Sequence, residues 1–214
     1  MSLSYVCESK LWISKLYDTY TLYLTHGARS SKKVDYFHNF IKEQLEHLFH
    51  KPIYNVVLEH NVDAYNSAGR KKCDIVILKN QIPYIVFPVK LIMSNYKQNK
   101  NNGWENLTGE LVHIKWSSPD VHIIPINIYM NKTPYLNNDK KIVKYETITY
   151  QDIDNYNILK SKGICYDLIN YILNVEHQNI DKFDKLPNII CFNESTPFRS
   201  LSKILDGLLI KLEI

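Results

Sequence analysis

Residues 82–90, "IPYIVFPVK", decide how this chain is to be read. Ile82, Ile85, Val86, Phe87 and Val89 form a near-continuous apolar run, the pattern of a strand buried on both faces. Two residues cut against that pattern. Pro88 cannot donate to a hydrogen-bond ladder, and Lys90 ends the run on an ammonium that is costly to bury without a partner. Side chains alternate along a strand, so residues 86, 88 and 90 share a face and Pro88 points the same way as Lys90.

Working outward, the period of the apolar positions changes from helical to strand-like and back. Residues 8–25 carry Leu11, Leu16, Tyr20 and Leu24 at helical spacing, with Gly27 placed to end that helix. Residues 34–49 put Phe37, Phe40, Ile41, Leu45 and Leu48 on one stripe, which predicts a second helix. After Pro52 come a strand in "YNVVLEHNVDAYN", a turn in "NSAGRKK" and a short apolar strand in "CDIVILKN". "NQIP" then turns the chain into the opening run. From residue 94 a polar stretch leads into a helix through "WENLTGELVHIKW", and "VHIIPINIYM", 121–130, is another buried strand with an internal proline, Pro125. Residues 131–141 read as a lysine-rich loop, "YETITY" as a further strand, 151–176 as a stretch containing two short helices and "RSLSKILDGLLIKLEI" as a closing amphipathic helix. The order helix, three strands, helix, strand predicts an α/β fold with a mixed central sheet sandwiched by helices.

Composition sets wide bounds. The 214 residues suit one domain with embellishments, and 45% hydrophobic with 22% charged residues is enough for a real core. A net charge of +4, carried by lysine with only three arginines, permits a polyanionic partner without demanding one. Cys7, Cys73, Cys165 and Cys191 form no CxxC pair, which argues against a zinc site or disulfide framework and for a reducing cytoplasm. No signal pattern opens the chain and no apolar run reaches the roughly 20 residues that span a bilayer, so the expectation is a cytoplasmic protein with no membrane partner.

The turn "NSAGRKKCDIVIL" delivers Asp74 to one buried strand, and the next strand delivers Lys90. An Asp and a Lys on adjacent strands can converge on one point. There a carboxylate can hold a divalent metal and a lysine can orient a water; an inter-strand ion pair is the plainer alternative. The order of a helix bearing acids, "GRKKCD", an apolar hairpin, "VK" and a polar helix resembles the PD-(D/E)xK nuclease superfamily, especially its type II restriction endonucleases. The resemblance spans roughly residues 34–130 and implies a restriction-endonuclease-like core there. A helical segment (1–33) precedes it, and a recognition and dimerisation extension (131–214) follows within the same domain. It further implies that Asp74 is the motif's acid and Lys90 its lysine, with Mg2+ as the cofactor and the Val89 carbonyl among the metal ligands.

The second acid of the motif is missing, because Pro88 stands in its place. Some members of that family take the carboxylate from the helix after the lysine strand, which here offers Glu105 and Glu110. With Trp104, Leu107, Leu111 and Ile114 on the apolar face, Glu110 lies roughly 70° from its centre and Glu105 roughly 150° away, so Glu110 is the expected catalytic and metal-binding acid. A further catalytic Glu on the helix before the first core strand would be Glu46, ahead of Glu43; Glu59 in "VVLEHNV" is another residue able to face the site. Arg70, Lys71 and Lys72 enter the Asp74 strand and suit a phosphate backbone. Asn95, Gln98, Asn99 and Asn102, with Tyr96 and Asn101 beside them, suit base or phosphate contacts, or else a solvated loop. The resulting expectation is a Mg2+-dependent, site-specific endonuclease of double-stranded DNA acting as a homodimer. The alternative is a catalytically inactive relative that binds nucleic acid or a protein, with Pro88 as its main support.

Overall fold

The structure is a computed structural model that describes residues 3–27 and 30–209. Helices α1 (Leu3–His26) and α2 (Lys32–Glu46) lead into strands β1 (Tyr54–Asp63), β2 (Arg70–Lys79), β3 (Ile82–Phe87) and β4 (Val89–Ile92). Helix α3 (Tyr96–Ser117) follows, then β5 (His122–Ile123) and β6 (Ile126–Met130). A hairpin of β7 (Lys132–Leu136) and β8 (Ile142–Thr147) comes next, followed by the short helices α4 (Tyr150–Ile153) and α5 (Asn157–Ser161). Strands β9 (Ile169–Glu176) and β10 (Asn188–Phe192) and helix α6 (Leu201–Leu209) complete the chain.

The two internal prolines interrupt a single mixed sheet without breaking it. β3 pairs with β5, and β4 with β6, in one unbroken parallel register: Ile85 faces His122, Val86 faces Ile123, Val89 faces Ile126 and Lys90 faces Asn127. Pro88 and Pro125 fall opposite each other in that register, where neither can donate. The gap is bridged by the Ile124 N–H to the Val86 carbonyl (2.9 Å) and the Ile126 N–H to the Pro88 carbonyl (2.8 Å). Taken through the prolines, the sheet order is β1, β2, β3–β4, β5–β6, β9, β10, parallel in the middle and antiparallel at both sides.

Helices cover both faces. On one, α1, α2 and α6 bury Trp12, Leu16, Phe37, Ile41, Leu45 and Leu205 against Ile75, Ile77, Phe87 and Ile128. On the other, α3, α4 and α5 bury Leu107, Leu111, Ile153 and Leu159 against Val76, Val86 and Ile172. The expected α/β sandwich with a mixed sheet is the architecture observed.

Several local expectations need correction. Helix α3 begins at Tyr96, so residues 96–102 are its first turns and not a polar loop. The stretch 131–141, read as a loop, contains β7, and 151–176 holds the two expected short helices, α4 and α5, but also the strand β9. β10 carried no sequence signal strong enough to be read. The closing helix is described to Leu209, and the rest of its expected span lies outside the described residues. Among the described residues no helix is long and apolar enough to cross a membrane.

The far end of the sheet is tied together by one buried carboxylate. Asp167 accepts from Lys160 Nζ (2.7 Å), the Leu168 N–H (2.8 Å) and Arg199 Nη1 (3.0 Å), linking α5 to the segments entering β9 and α6. Burial acts to raise the Asp167 pKa, but these hydrogen bonds outweigh it and hold the carboxyl below its ordinary value. A depressed folded-state pKa gives stability that is fully present above the ordinary Asp range and lost as pH falls through the folded value. Asp167→Asn is therefore expected to cost about 2 kcal/mol at pH 7. In denaturant titrations repeated at descending pH, the gap between variant and wild type should narrow below about pH 4.

Candidate metal and nucleic-acid site at the sheet fork

The site forms where β2 and its neighbour part. Pairing between β2 and β3 ends at Ile75 opposite Phe87, and β4 beyond it pairs only with β6. Continuing the register would place Asp74 opposite Pro88 and Cys73 opposite Val89. Instead the Val89 N–H donates to Asp74 Oδ2 at 2.7 Å. A side-chain oxygen replaces the backbone acceptor, and the strands fork. In an extended strand the N–H and C=O of one residue leave on the same side, so the Val89 carbonyl also faces the fork.

On its other edge Asp74 faces Glu59, because the β1–β2 register runs unbroken from Leu58 opposite Ile75 to His60 opposite Cys73. Glu59 has φ of 53°, a left-handed conformation uncommon for a non-glycine residue. The twist inverts which side chains face which core. Val56 and Ile75 belong to the core under α2, whereas Val62 and Cys73, on the same strands beyond Glu59 and Asp74, belong to the core under α3. The face switch turns the carboxylates of Glu59 and Asp74 toward α2, where His38 sits beside Phe37. Ligand atoms of His38, Glu59 and Asp74 all lie within 4.8 Å of one another.

The three groups differ in environment. His38 is buried and Glu59 exposed, with Asp74 between them. Burial lowers the pKa of His38; Asp74, Glu59 and Asp35 partly offset this and Lys90 adds to it, so the imidazole is neutral at pH 7. Two carboxylates directly opposite on paired strands repel. Part of that cost is relieved by the Val89 N–H on Asp74 and by an ion pair between Lys72 and Glu59. A divalent cation would relieve it further. Two carboxylates, an imidazole and a backbone carbonyl form a donor set suited to such an ion, which holds its ligands at about 2.1 Å.

The lysine and the second acid flank this cluster. The Lys90 ammonium stands 4.0 Å from Glu110 Oε2, and Lys71 stands 3.4 Å from the same atom. Only 8% of the Glu110 side chain is exposed, against 45% for Lys90. Glu110 thus lies at the edge of the buried face of α3 and Glu105 in solvent, as the helical angles require. Both line a groove with Lys71, Lys90 and Asn106. Lys90 also borders a cleft of about 460 Å³ with Asn99, Lys100, Asn106 and Asn127. Cys73, beside the fork, has its thiol pushed up to about 12 by burial and by the charges of Glu110 and Asp74, which excludes thiolate chemistry at neutral pH.

The expected site residues therefore divide. Asp74 and Val89 meet at the fork through the Val89 N–H, and Lys90 is the next residue along β4. Glu110 does not join the group that shares Asp74's ligand space but pairs with the two lysines. Glu46 lies two turns beyond His38 on α2 and pairs with Lys42, so His38 is the residue by which that helix reaches the carboxylates. Among the expected DNA contacts, Arg70, Lys71 and Lys72 lie on the first residues of β2, beside the fork. Asn95 is committed elsewhere: its Oδ1 accepts the Leu136 N–H (2.8 Å) and its Nδ2 donates to Gln98 Oε1 (3.3 Å), fixing the start of α3. Asn99 donates back to the Asn95 carbonyl, while Asn102 is exposed. His38 belongs to no motif in the sequence; its one signal there is a titratable residue on the core stripe of the helix preceding β1.

No family model matches the chain, and no curated protein and no solved structure matches it.

Repulsion between Glu59 and Asp74 has a measurable consequence. Asp74→Asn keeps an acceptor for Val89 and removes one charge, so in EDTA the variant should be more stable than wild type by about 0.2–1 kcal/mol. Wild type at a metal concentration of 100 Kd should gain about 2.7 kcal/mol, a gain the variant lacks. Thermal melts of both proteins with and without MgCl2 or MnCl2 check both signs.

Proposed function

We propose that the chain is a divalent-cation-dependent endonuclease of the PD-(D/E)xK type that hydrolyses phosphodiester bonds in double-stranded DNA. The observation that carries this reading is the presence of Glu59 within 4.8 Å of Asp74, which supplies the carboxylate that Pro88 cannot. A site with a second acid favours catalysis over an inactive binding module.

Asp74, Glu59 and the Val89 carbonyl are the groups that would hold the ion. Bound there, it would polarise a phosphoryl oxygen and lower the pKa of a water. Lys90, half exposed at the mouth of the fork, is positioned to orient the attacking water and to offset charge developing on the phosphate. Glu110 holds Lys90 and Lys71 as a positioning residue, keeping two flexible cations on one side of the fork. Arg70, Lys71 and Lys72 supply phosphate contacts, and entry of a metal beside Glu59 would release Lys72 toward the backbone.

With plasmid substrate and Mg2+ or Mn2+, Asp74→Ala and Lys90→Ala should each abolish cleavage, a loss of several kcal/mol of transition-state stabilisation. Glu59→Gln should be as damaging as Asp74→Ala, Glu110→Gln milder and Glu105→Gln close to wild type. Cleavage by Glu59→Gln at the wild-type rate, with Glu110→Gln inactive, would move the second ligand back to α3.

Duplex binding in EDTA should weaken steeply with salt. Contacts from Arg70, Lys71, Lys72 and Lys90 to three or four phosphates imply a slope of log K against log salt of about −3. Anisotropy titrations between 50 and 200 mM NaCl measure it, and a flat response would sink the backbone-contact assignment.

A further inference from the structure

His38 stands outside the pattern that the PD-(D/E)xK reading uses. It is 2% exposed, it sits on the core stripe of α2 between Phe37 and Phe40, and it offers a ring nitrogen within 4.8 Å of ligand oxygens of both Glu59 and Asp74. A buried imidazole normally fixes its tautomer by donating to a carbonyl or carboxylate. This one instead presents a nitrogen to two carboxylates that already face each other. Packing alone would be served by leucine. Holding a nitrogen donor at that point serves a cation.

We infer that His38 is a metal ligand whose imidazole makes the fork select a first-row transition ion such as Mn2+ or Co2+ over Mg2+. The inference rests on the metal site proposed above and adds its donor chemistry. Mg2+ binds through carboxylates and water and gains little from imidazole, whereas the affinity of a mixed nitrogen and oxygen site rises from Mn2+ to Co2+. Asp74 and Glu59 accept either kind of ion; His38 discriminates between them.

Pulsed electron paramagnetic resonance of Mn2+ bound to the full chain tests this without relying on activity. Wild type should show nitrogen modulation from a directly bound imidazole, and growth on 15N-histidine should convert it to the 15N pattern. His38→Gln should abolish the histidine modulation while still binding Mn2+ through the carboxylates. In competition titrations the excess of Mg2+ needed to displace Co2+ should fall on the order of tenfold or more in that variant. If Mn2+ binds wild type, is lost in Asp74→Asn and yet shows no histidine nitrogen, the His38 assignment is overturned and the carboxylate site stands. If Mn2+ fails to bind, or binds Asp74→Asn as well as wild type, the metal reading itself is overturned. The isotope experiment needs no substitution, so a poorly folded His38 variant leaves the assignment open to refutation.

Discussion

The hydrogen bond from the Val89 N–H to the Asp74 carboxylate occupies the place where a backbone bond would otherwise carry the ladder forward. Everything chemical in the molecule is arranged around that substitution. Because a side chain takes the amide, β2 is free to continue with β1 as a two-stranded ribbon and β4 to continue with β6. The opening between them exposes a carboxylate, a carbonyl and a lysine on otherwise buried strands. A buried sheet has no room for such groups. A forked one does.

Glu59 and Pro88 hold the two sides of Asp74 open in complementary ways. Proline removes a donor from the lysine strand, and Glu59 spends backbone strain to turn β1 over, an outlier costing on the order of 1–3 kcal/mol. Strain of that size persists where surrounding structure over-determines it, and here a long antiparallel register on both sides of Glu59 does so. Local rules fail at Glu59 and Pro88, where the candidate ligands are gathered, as expected when stability and function compete for the same residues.

The strands and helices of the core were legible because their apolar periods are strong: Phe37, Phe40, Ile41 and Leu45 on α2, and Ile85 to Val89 across β3 and β4, report burial directly. Asp74 and Lys90 were legible because charged residues interrupt such runs at the wrong places. The choice of second acid was not. Glu110 sits at the angle the helix demands, but its oxygen is drawn to two lysines, and no periodicity reveals which side of the sheet a carboxylate at the edge will serve. Glu59 needed the positive φ, a tertiary fact that strand patterns conceal. β7 and β10 were missed for a similar reason: β7 includes Lys132 and Pro134, and β10 is largely exposed, so neither carries a core signature.

The fork also leaves β4 with one edge open in the interior of the sheet. Unpaired strand edges invite pairing with another chain, and longer, flatter edges invite it more. This edge spans only Val89–Ile92 and is bounded by Pro88, which cannot donate, and its first amide is already taken by Asp74. An intruding strand would have to displace a carboxylate and then meet a proline after about two backbone bonds. The arrangement that exposes a reactive carboxylate also denies foreign strands a template, so a chain with a gap in its sheet stays a poor partner for aggregation.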